Sequence, residues 1–192
     1  LVREHGLRTG LFPSPHLTSV TERIVVDGEP LSARRFVEVW EDVYPYVQVV
    51  DAELAETGQS QLSFFEVLTG VAFAAFADTP VDVAIVEVGM GGEWDSTNVV
   101  DAEVAVVTPV ALDHERWLGS TLEEIATVKS GIVKEGATVV SAAQRPEVEE
   151  VLRARAERVG ARLLREGVDL DVAAREVAVG GPRLDRRPRA GR

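Results

Sequence analysis

The chain alternates between short β-branched runs and longer stretches whose apolar residues recur at helical spacing. Residues 1–6 read as the last turn of a helix that stops at Gly6, and residues 7–12 as a short strand. Residues 21–31, TERIVVDGEPL, read as extended chain with Asp27-Gly28 as a turn. Ser32 is placed to cap the next helix, whose apolar face is Phe36, Val39, Trp40 and Val43, and Pro45 is expected to end or kink it. After a loop at 58–61, Ser63 and Glu66 have the spacing of a capping box. The helix they open, to about Ala77, is nearly all small or apolar and so should be buried. Residues 83–88 and 104–108 are strands without polar alternation, the pattern of the inside of a parallel sheet. Thr121 and Glu124 make a second capping box, opening a helix that carries Lys129, and residues 137–141 are a further strand. Residues 146–159 form an amphipathic helix with Val148, Val151, Leu152 and Val159 on one face and a Glu149/Arg153 pair on the other.

Strands and helices alternating at these lengths predict an α/β fold, a mostly parallel, doubly wound sheet flanked by helices. The domain is expected over residues 1–179, with 180–192, which hold five arginines among glycine and proline, as a mobile tail. At 192 residues and 45% hydrophobic, the chain can bury a substantial core. A formal net charge of −12 argues against non-specific nucleic-acid binding, so an anionic substrate must be received locally, by a metal or by backbone amides. The absence of cysteine excludes disulfides, thiolate zinc sites and cysteine nucleophiles, and fits a cytoplasmic location. No apolar run approaches about 18 residues, so no membrane span is expected. The chain opens on LVREHG without methionine and is expected to be a fragment.

Candidate chemistry sits where the predicted strands end. Glu87 closes the run VDVAIVE and is followed by Gly89-Met90-Gly91-Gly92, which lets backbone approach a ligand closely. Such a carboxylate either caps a neighbouring helix or meets an arginine, or it holds Mg²⁺, which takes one or two carboxylates plus phosphate oxygens and water. A dinucleotide-binding G-x-G-x-x-G fails at Trp94. His114, one of three histidines, follows Thr108-Pro109 just beyond a strand, where α/β enzymes keep ligands; a merely structural histidine is the alternative. Lys129 is one of two lysines against eighteen arginines, which hints at chemistry that needs an amine, such as carbamate formation, or else at chance. Ser14, between the prolines of FPSPHL, sits on a rigid loop and is either an ordinary turn residue or a hard-metal ligand.

The segments FPSPHLTSVTERI, LSFFEVLTGVAF, VAIVEVGMGGEWDSTNVVDAEVAVVTPVALDH, WLG and IATVKSGI run in order from near Gly6 to about Arg165. As a set they resemble the folylpolyglutamate synthase/dihydrofolate synthase family of the Mur ligase superfamily. The resemblance implies the central ATPase domain of that family. It also implies an amide ligase that phosphorylates a pteroate or folate carboxylate with ATP and joins it to the amino group of glutamate. Carried over, Ser14 and Glu87 are ligands of one Mg²⁺ on the ATP phosphates, and His114 is a ligand of a second. Lys129 matches the family's carboxylated, metal-binding lysine. Ser63 and Asp95 match positions that touch the pterin; an aspartate suits adjacent N–H donors. Phe64 either stacks on that ring or packs in the core. The partners implied are small molecules only, dihydropteroate or folate, glutamate and ATP, with a monomeric full-length enzyme.

Several departures from the family stand out. The Gly-rich loop G-T-N-G-K-G-[ST] does not occur in these residues, so no ATP-phosphate cradle is assigned, and the family's C-terminal domain is expected to be absent too. Glu93 stands where the family usually has arginine, and Thr127-Val128 where it usually has Gly-Glu. The fragment alone is therefore expected to be inactive. The rival expectations are a Mur-type ligase of cell-wall precursors and a non-catalytic, truncated pterin-binding module.

Overall fold

The computed structural model describes residues 1–178 and 181–188. The chain divides into two compact units, Leu1–Met90 with Asp95–Val99 and Gly91–Trp94 with Val100–Arg192.

In the first unit, Gly6 ends a 3-10 turn at Arg3–His5 in the left-handed conformation, φ 74°, as its position predicts. Strand β1 (Thr9–Phe12) follows, then the hairpin of β2 (Val25–Val26) and β3 (Glu29–Pro30). Asp27 and Gly28 between them both have positive φ, 54° and 86°, which a tight two-residue hairpin requires. Helix α1 (Ala33–Glu56) is capped by the Ser32 hydroxyl, and α2 (Phe64–Asp78) by the Ser63–Glu66 box. Strand β4 (Val83–Val86) completes a sheet of order β3-β2-β1-β4. β1 and β4 run parallel in the register Thr9↔Val83 to Phe12↔Val86, while the β2 and β3 pairings are antiparallel.

The core of this unit joins Phe12 and Ile24 to Val39 of α1 and to Leu68, Val71, Ala72, Ala75 and Phe76 of α2. Phe36, Trp40 and Val43 pack against it from the face that their spacing predicts. Pro45 does not end α1, which continues for eleven residues to Glu56. The proline lies on the exposed side, where water can serve the carbonyl that loses its N–H partner, and buried Val39 and Val47 anchor the helix on either side of it.

In the second unit, β5 (Val104–Val107), β6 (Thr138–Ser141) and β7 (Arg162–Arg165) form an all-parallel sheet in that order. The short helix α3 (Glu115–Leu118) and α4 (Leu122–Ser130) lie between β5 and β6, and α5 (Pro146–Arg158) between β6 and β7. Ala105, Val107 and Val139 pack with Ile125, Ala126, Val128, Val148 and Leu152 of the helices. α5 pairs its charges differently from the sequence expectation. Arg153 bonds Glu150 and Glu157, both at 2.6 Å, because Glu149 turns to Arg165 of β7 at 2.7 Å. The stretch from residue 180, expected as a tail, contributes β9 (Gly181–Pro188), antiparallel to β8 (Leu170–Ala178); residues 180 and 189–192 lie outside the described residues.

The α/β class and the parallel pairing of β1–β4 and of β5–β6–β7 agree with the sequence. The expectation of strands buried on both faces does not hold. Leu11 and Ile85 remain 37% and 43% exposed, and Val104 and Val106 remain 55% and 61% exposed. In the β3-β2-β1-β4 and β5-β6-β7 sheets the described helices cover one face, and alternate residues on the other face stay open. No described helix is long and apolar enough to cross a membrane.

Three capping boxes, at Ser19–Glu22, Ser63–Glu66 and Thr121–Glu124, share a pH signature. Bonds from Ser63 hold the Glu66 carboxyl below the usual carboxylate range, and backbone N–H groups of Ser120 and Thr121 do the same for Glu124. A carboxyl depressed in the folded state stabilises above its unfolded pKa and loses that contribution as pH falls through the folded value. The urea midpoint should therefore fall on acidification below about pH 4. The double variant E66Q/E124Q should show a shallower fall between pH 5 and 3, and an unchanged slope would rule the boxes out as its source.

Candidate functional site

Ser14 and Glu87 lie just past the carboxyl ends of β1 and β4, whose parallel register fixes them side by side. The Glu87 N–H extends the ladder to the Phe12 carbonyl at 2.9 Å. The Ser14 backbone N–H then donates to Glu87 Oε2 at 2.6 Å. One carboxylate oxygen is held by the chain, while Oε1 and the Ser14 hydroxyl remain as hard oxygen donors on an exposed edge. That donor set fits Mg²⁺, which keeps several waters and asks for few protein ligands. Among the described residues, no group of three or more His, Asp or Glu side chains forms a complete cage for a metal. The peptide between Ser14 and Pro15 is cis.

The same unit holds the three residues assigned to the pterin. The Ser63 hydroxyl accepts from the Glu66 N–H at 3.3 Å, and the Ser63 N–H donates to Glu66 Oε2 at 2.7 Å, so Ser63 is first of all the cap of α2. Asp95 folds its own loop: Oδ2 accepts from the Met90 N–H at 2.9 Å, and Oδ1 accepts from the N–H and hydroxyl of Thr97 at 3.0 and 2.5 Å. A ligand N–H would share lone pairs already in use. Phe64 is not in the core. It is 59% exposed with the Arg23 guanidinium 5.8 Å from its ring centroid, while its neighbour Phe65 takes the core position against Phe12, with centroids 5.6 Å apart. In the sequence the two phenylalanines are indistinguishable, because the helix rotation that separates them is set by how α2 meets β1.

His114 and Lys129 belong to the second unit. His114 caps α3 with φ 53°, a left-handed conformation uncommon outside glycine. Its N–H donates to Asp113 Oδ1 at 2.7 Å, and its half-exposed ring brings Nε2 to 3.7 Å from Asp113 Oδ2. Lys129 is half-buried in the last turn of α4, between the buried Val128 and Ser130. Among the described residues, no carboxylate forms an ion pair with its ammonium.

Gly92 presses directly on this lysine's backbone. A Cβ on Gly92 would lie 2.7 Å from the Val128 carbonyl and 2.8 Å from that of Lys129, and a Cβ on Gly131 would lie 2.4 Å from the Cβ of Glu93. The Glu93 N–H donates to the Val128 carbonyl at 3.0 Å. Residue 93 is thus fixed to α4 by its backbone, whatever side chain it carries.

No family model matches the chain. A curated relative, the dihydrofolate synthase/folylpolyglutamate synthase of Mycobacterium tuberculosis, is 46% identical over 183 residues, covering 91% of this chain and 38% of the relative. The chain belongs to the folylpolyglutamate synthase/dihydrofolate synthase family. Crystal structures of Mycobacterium tuberculosis folylpolyglutamate synthase complexed with ADP and AMPPCP include one that superposes with a TM-score of 0.88 at 45% identity, over 96% of this chain and 42% of that one. An FPGS–AMPPCP–folate complex superposes equally well, TM-score 0.88, at 34% identity over 98% of this chain and 45% of that one. The chain spans 38% and 36% of the length of the Mycobacterium tuberculosis and Bacillus subtilis relatives it matches, and as little as 27% of others.

Sequence reasoning missed Arg23 and His16, which join each other beside Phe64; the signal was a charged residue directly before the fully buried Ile24 inside the quoted FPSPHLTSVTERI segment.

Two glycine substitutions should act in opposite directions. G131A should lower stability by about 1–3 kcal/mol, because its methyl meets backbone that cannot yield. G70A, inside α2 with nothing closer than Val43 at 3.8 Å, should raise it by about 0.5–1 kcal/mol. Thermal denaturation of both variants checks the pair, and a neutral G131A would refute the close approach.

Proposed function

We propose that these residues supply the metal-binding and ring-binding part of an ATP-dependent acid–amino-acid ligase that joins glutamate to dihydropteroate or folate, acting on small molecules as a cytoplasmic monomer. The observation that carries the reading is the Ser14–Glu87 pair, two hard oxygen donors set side by side at the ends of parallel strands in a chain 46% identical to a dihydrofolate synthase/folylpolyglutamate synthase.

In this reading a carboxylate oxygen of the folate or pteroate attacks the γ-phosphorus of ATP and ADP leaves. The amino nitrogen of glutamate then attacks the acyl carbon, phosphate leaves, and an amide remains. Bound Mg²⁺ supplies the positive charge that lets two anions, phosphate and carboxylate, approach each other. The Ser14 hydroxyl and Glu87 Oε1 would hold the ion on the ATP phosphates, and Oε2 stays with the Ser14 N–H, which fixes the carboxylate's orientation. His114 and a carboxylated Lys129 would hold a second ion. A half-buried amine without a carboxylate partner among the described residues is suited to carbamate formation, which turns a repelling ammonium into an oxygen donor. Asp95 would accept from the pterin edge, Ser63 would keep α2 in place beneath it, and Phe64 would offer its exposed ring for stacking.

The 192 residues contain no Gly-rich loop ending in lysine to cradle the β- and γ-phosphates. Taken alone they should give no dihydropteroate-dependent ADP release, and turnover by this chain would overturn that part of the reading. A ligase that carries these residues together with such a loop should release ADP with dihydropteroate and glutamate but not with UDP-linked substrates. E87Q should cost it on the order of 100-fold in rate, and activity on the UDP-linked compounds would favour a cell-wall ligase instead. The carbamate has its own readout. ¹³C-bicarbonate should label a carbonyl resonance in the chain that disappears in K129R, and its absence from the wild type would remove Lys129 from the metal set.

A further inference from the structure

The loop that follows Ser14 is folded around two of its own charges. The Glu22 carboxylate accepts from three successive backbone N–H groups, those of Leu17, Thr18 and Ser19, at 2.8, 3.1 and 2.8 Å. The next residue, Arg23, is half-buried and turns back. Its Nε donates to His16 Nδ1 at 2.9 Å, which places the imidazole's own proton on Nε2. The guanidinium also lies over the Phe64 ring, 5.8 Å from Cζ to centroid, inside the range of a cation–π contact. One side chain therefore ties the Ser14 loop to the first residue of α2.

We infer that Arg23 is a positioning residue for ring binding: braced by His16, it fixes the exposed Phe64 ring so that a flat heteroaromatic ligand meets a stacking surface already held in place. The inference rests on the reading of Phe64 as a ring-binding residue, and it names what holds that ring. The physical reason is entropic. Phe64 keeps 59% of its surface open and has no other ring packed on it among the described residues, so without the guanidinium it must be ordered by the ligand at the ligand's expense. Freezing a side chain in this way changes affinity by roughly two- to tenfold. Arginine suits the task better than lysine, because its planar group can donate to His16 in its own plane while presenting a face to the ring.

The test is a double-mutant cycle on the 192-residue chain, with 7,8-dihydropteroate binding followed by the pterin's fluorescence. R23M keeps the aliphatic stem and removes the charge and the donor. R23M and F64L should each raise Kd about two- to tenfold, and R23M/F64L should be no weaker than F64L alone, since Arg23 acts through the ring. R23K, which keeps a cation but loses the in-plane bond to His16, should fall between wild type and R23M. Thermal midpoints of the wild type and all four variants report whether each variant is folded. Independent, multiplying effects of the two single variants would overturn the inference, as would an R23M affinity equal to wild type where F64L weakens binding. If the wild type binds and F64L does not weaken it, both the ring-binding role of Phe64 and the inference fall. If the folded wild-type chain does not bind dihydropteroate, the failure belongs to the proposed substrate class.

Discussion

The in-register pairing of β1 with β4 is the interaction from which the rest of the site follows. Four parallel residue pairs, ending at Phe12↔Val86, bring two chain segments more than 70 residues apart to the same edge at the same height. The ladder then runs one bond further, from the Glu87 N–H to the Phe12 carbonyl, and the Ser14 N–H closes on the Glu87 side chain. A shift of one residue would send Phe12 from the core to the open face and turn Glu87 away from the loop. The fully buried Phe12, stacked on Phe65, penalises that slip. Packing inside the unit thus sets the geometry of its polar edge.

A similar division of labour holds in the second unit. The parallel trio β5–β6–β7 is pinned by a core that includes Ile125, Val139, Val148 and Leu152, and α4 ends with Lys129 between two buried neighbours. Glycines at 92 and 131 make the remaining adjustment, since any side chain there would hold strand-following backbone away from the end of α4. Gly91-Gly92 therefore serves helix packing as much as any ligand. That explains how a glycine cluster can resemble a dinucleotide fingerprint without being one.

What the sequence revealed, and what it hid, separates along physical lines. Helix starts were legible because capping is local: Ser32, Ser63 and Thr121 all cap the helices they were assigned. The Asp27-Gly28 turn was legible for the same reason, since both residues need positive φ. Pro45 misled because a proline's cost depends on which side of the helix faces water, a tertiary fact. Glu149 misled because its partner lies on a strand sixteen residues away, outside any helical spacing. Strand β7 and the β8–β9 hairpin carry too many arginines and acids to read as strands by apolar pattern. Of the candidate site residues, Ser14 and Glu87 were singled out by position and family likeness together, and their adjacency follows from the β1–β4 register. The Arg23–Phe64 stack could not be read at all, because it joins two segments whose meeting depends on the fold.

The central claim is that the edge formed by Ser14 and Glu87 receives a divalent cation. The most direct measurement is a titration of the ¹⁵N-labelled chain with Mn²⁺, a paramagnetic stand-in for Mg²⁺, followed by amide line broadening. The account predicts that the amides of Ser14 and Glu87 broaden first, and that E87Q removes the effect at that edge. Broadening that begins elsewhere, or that persists there in E87Q, would contradict it.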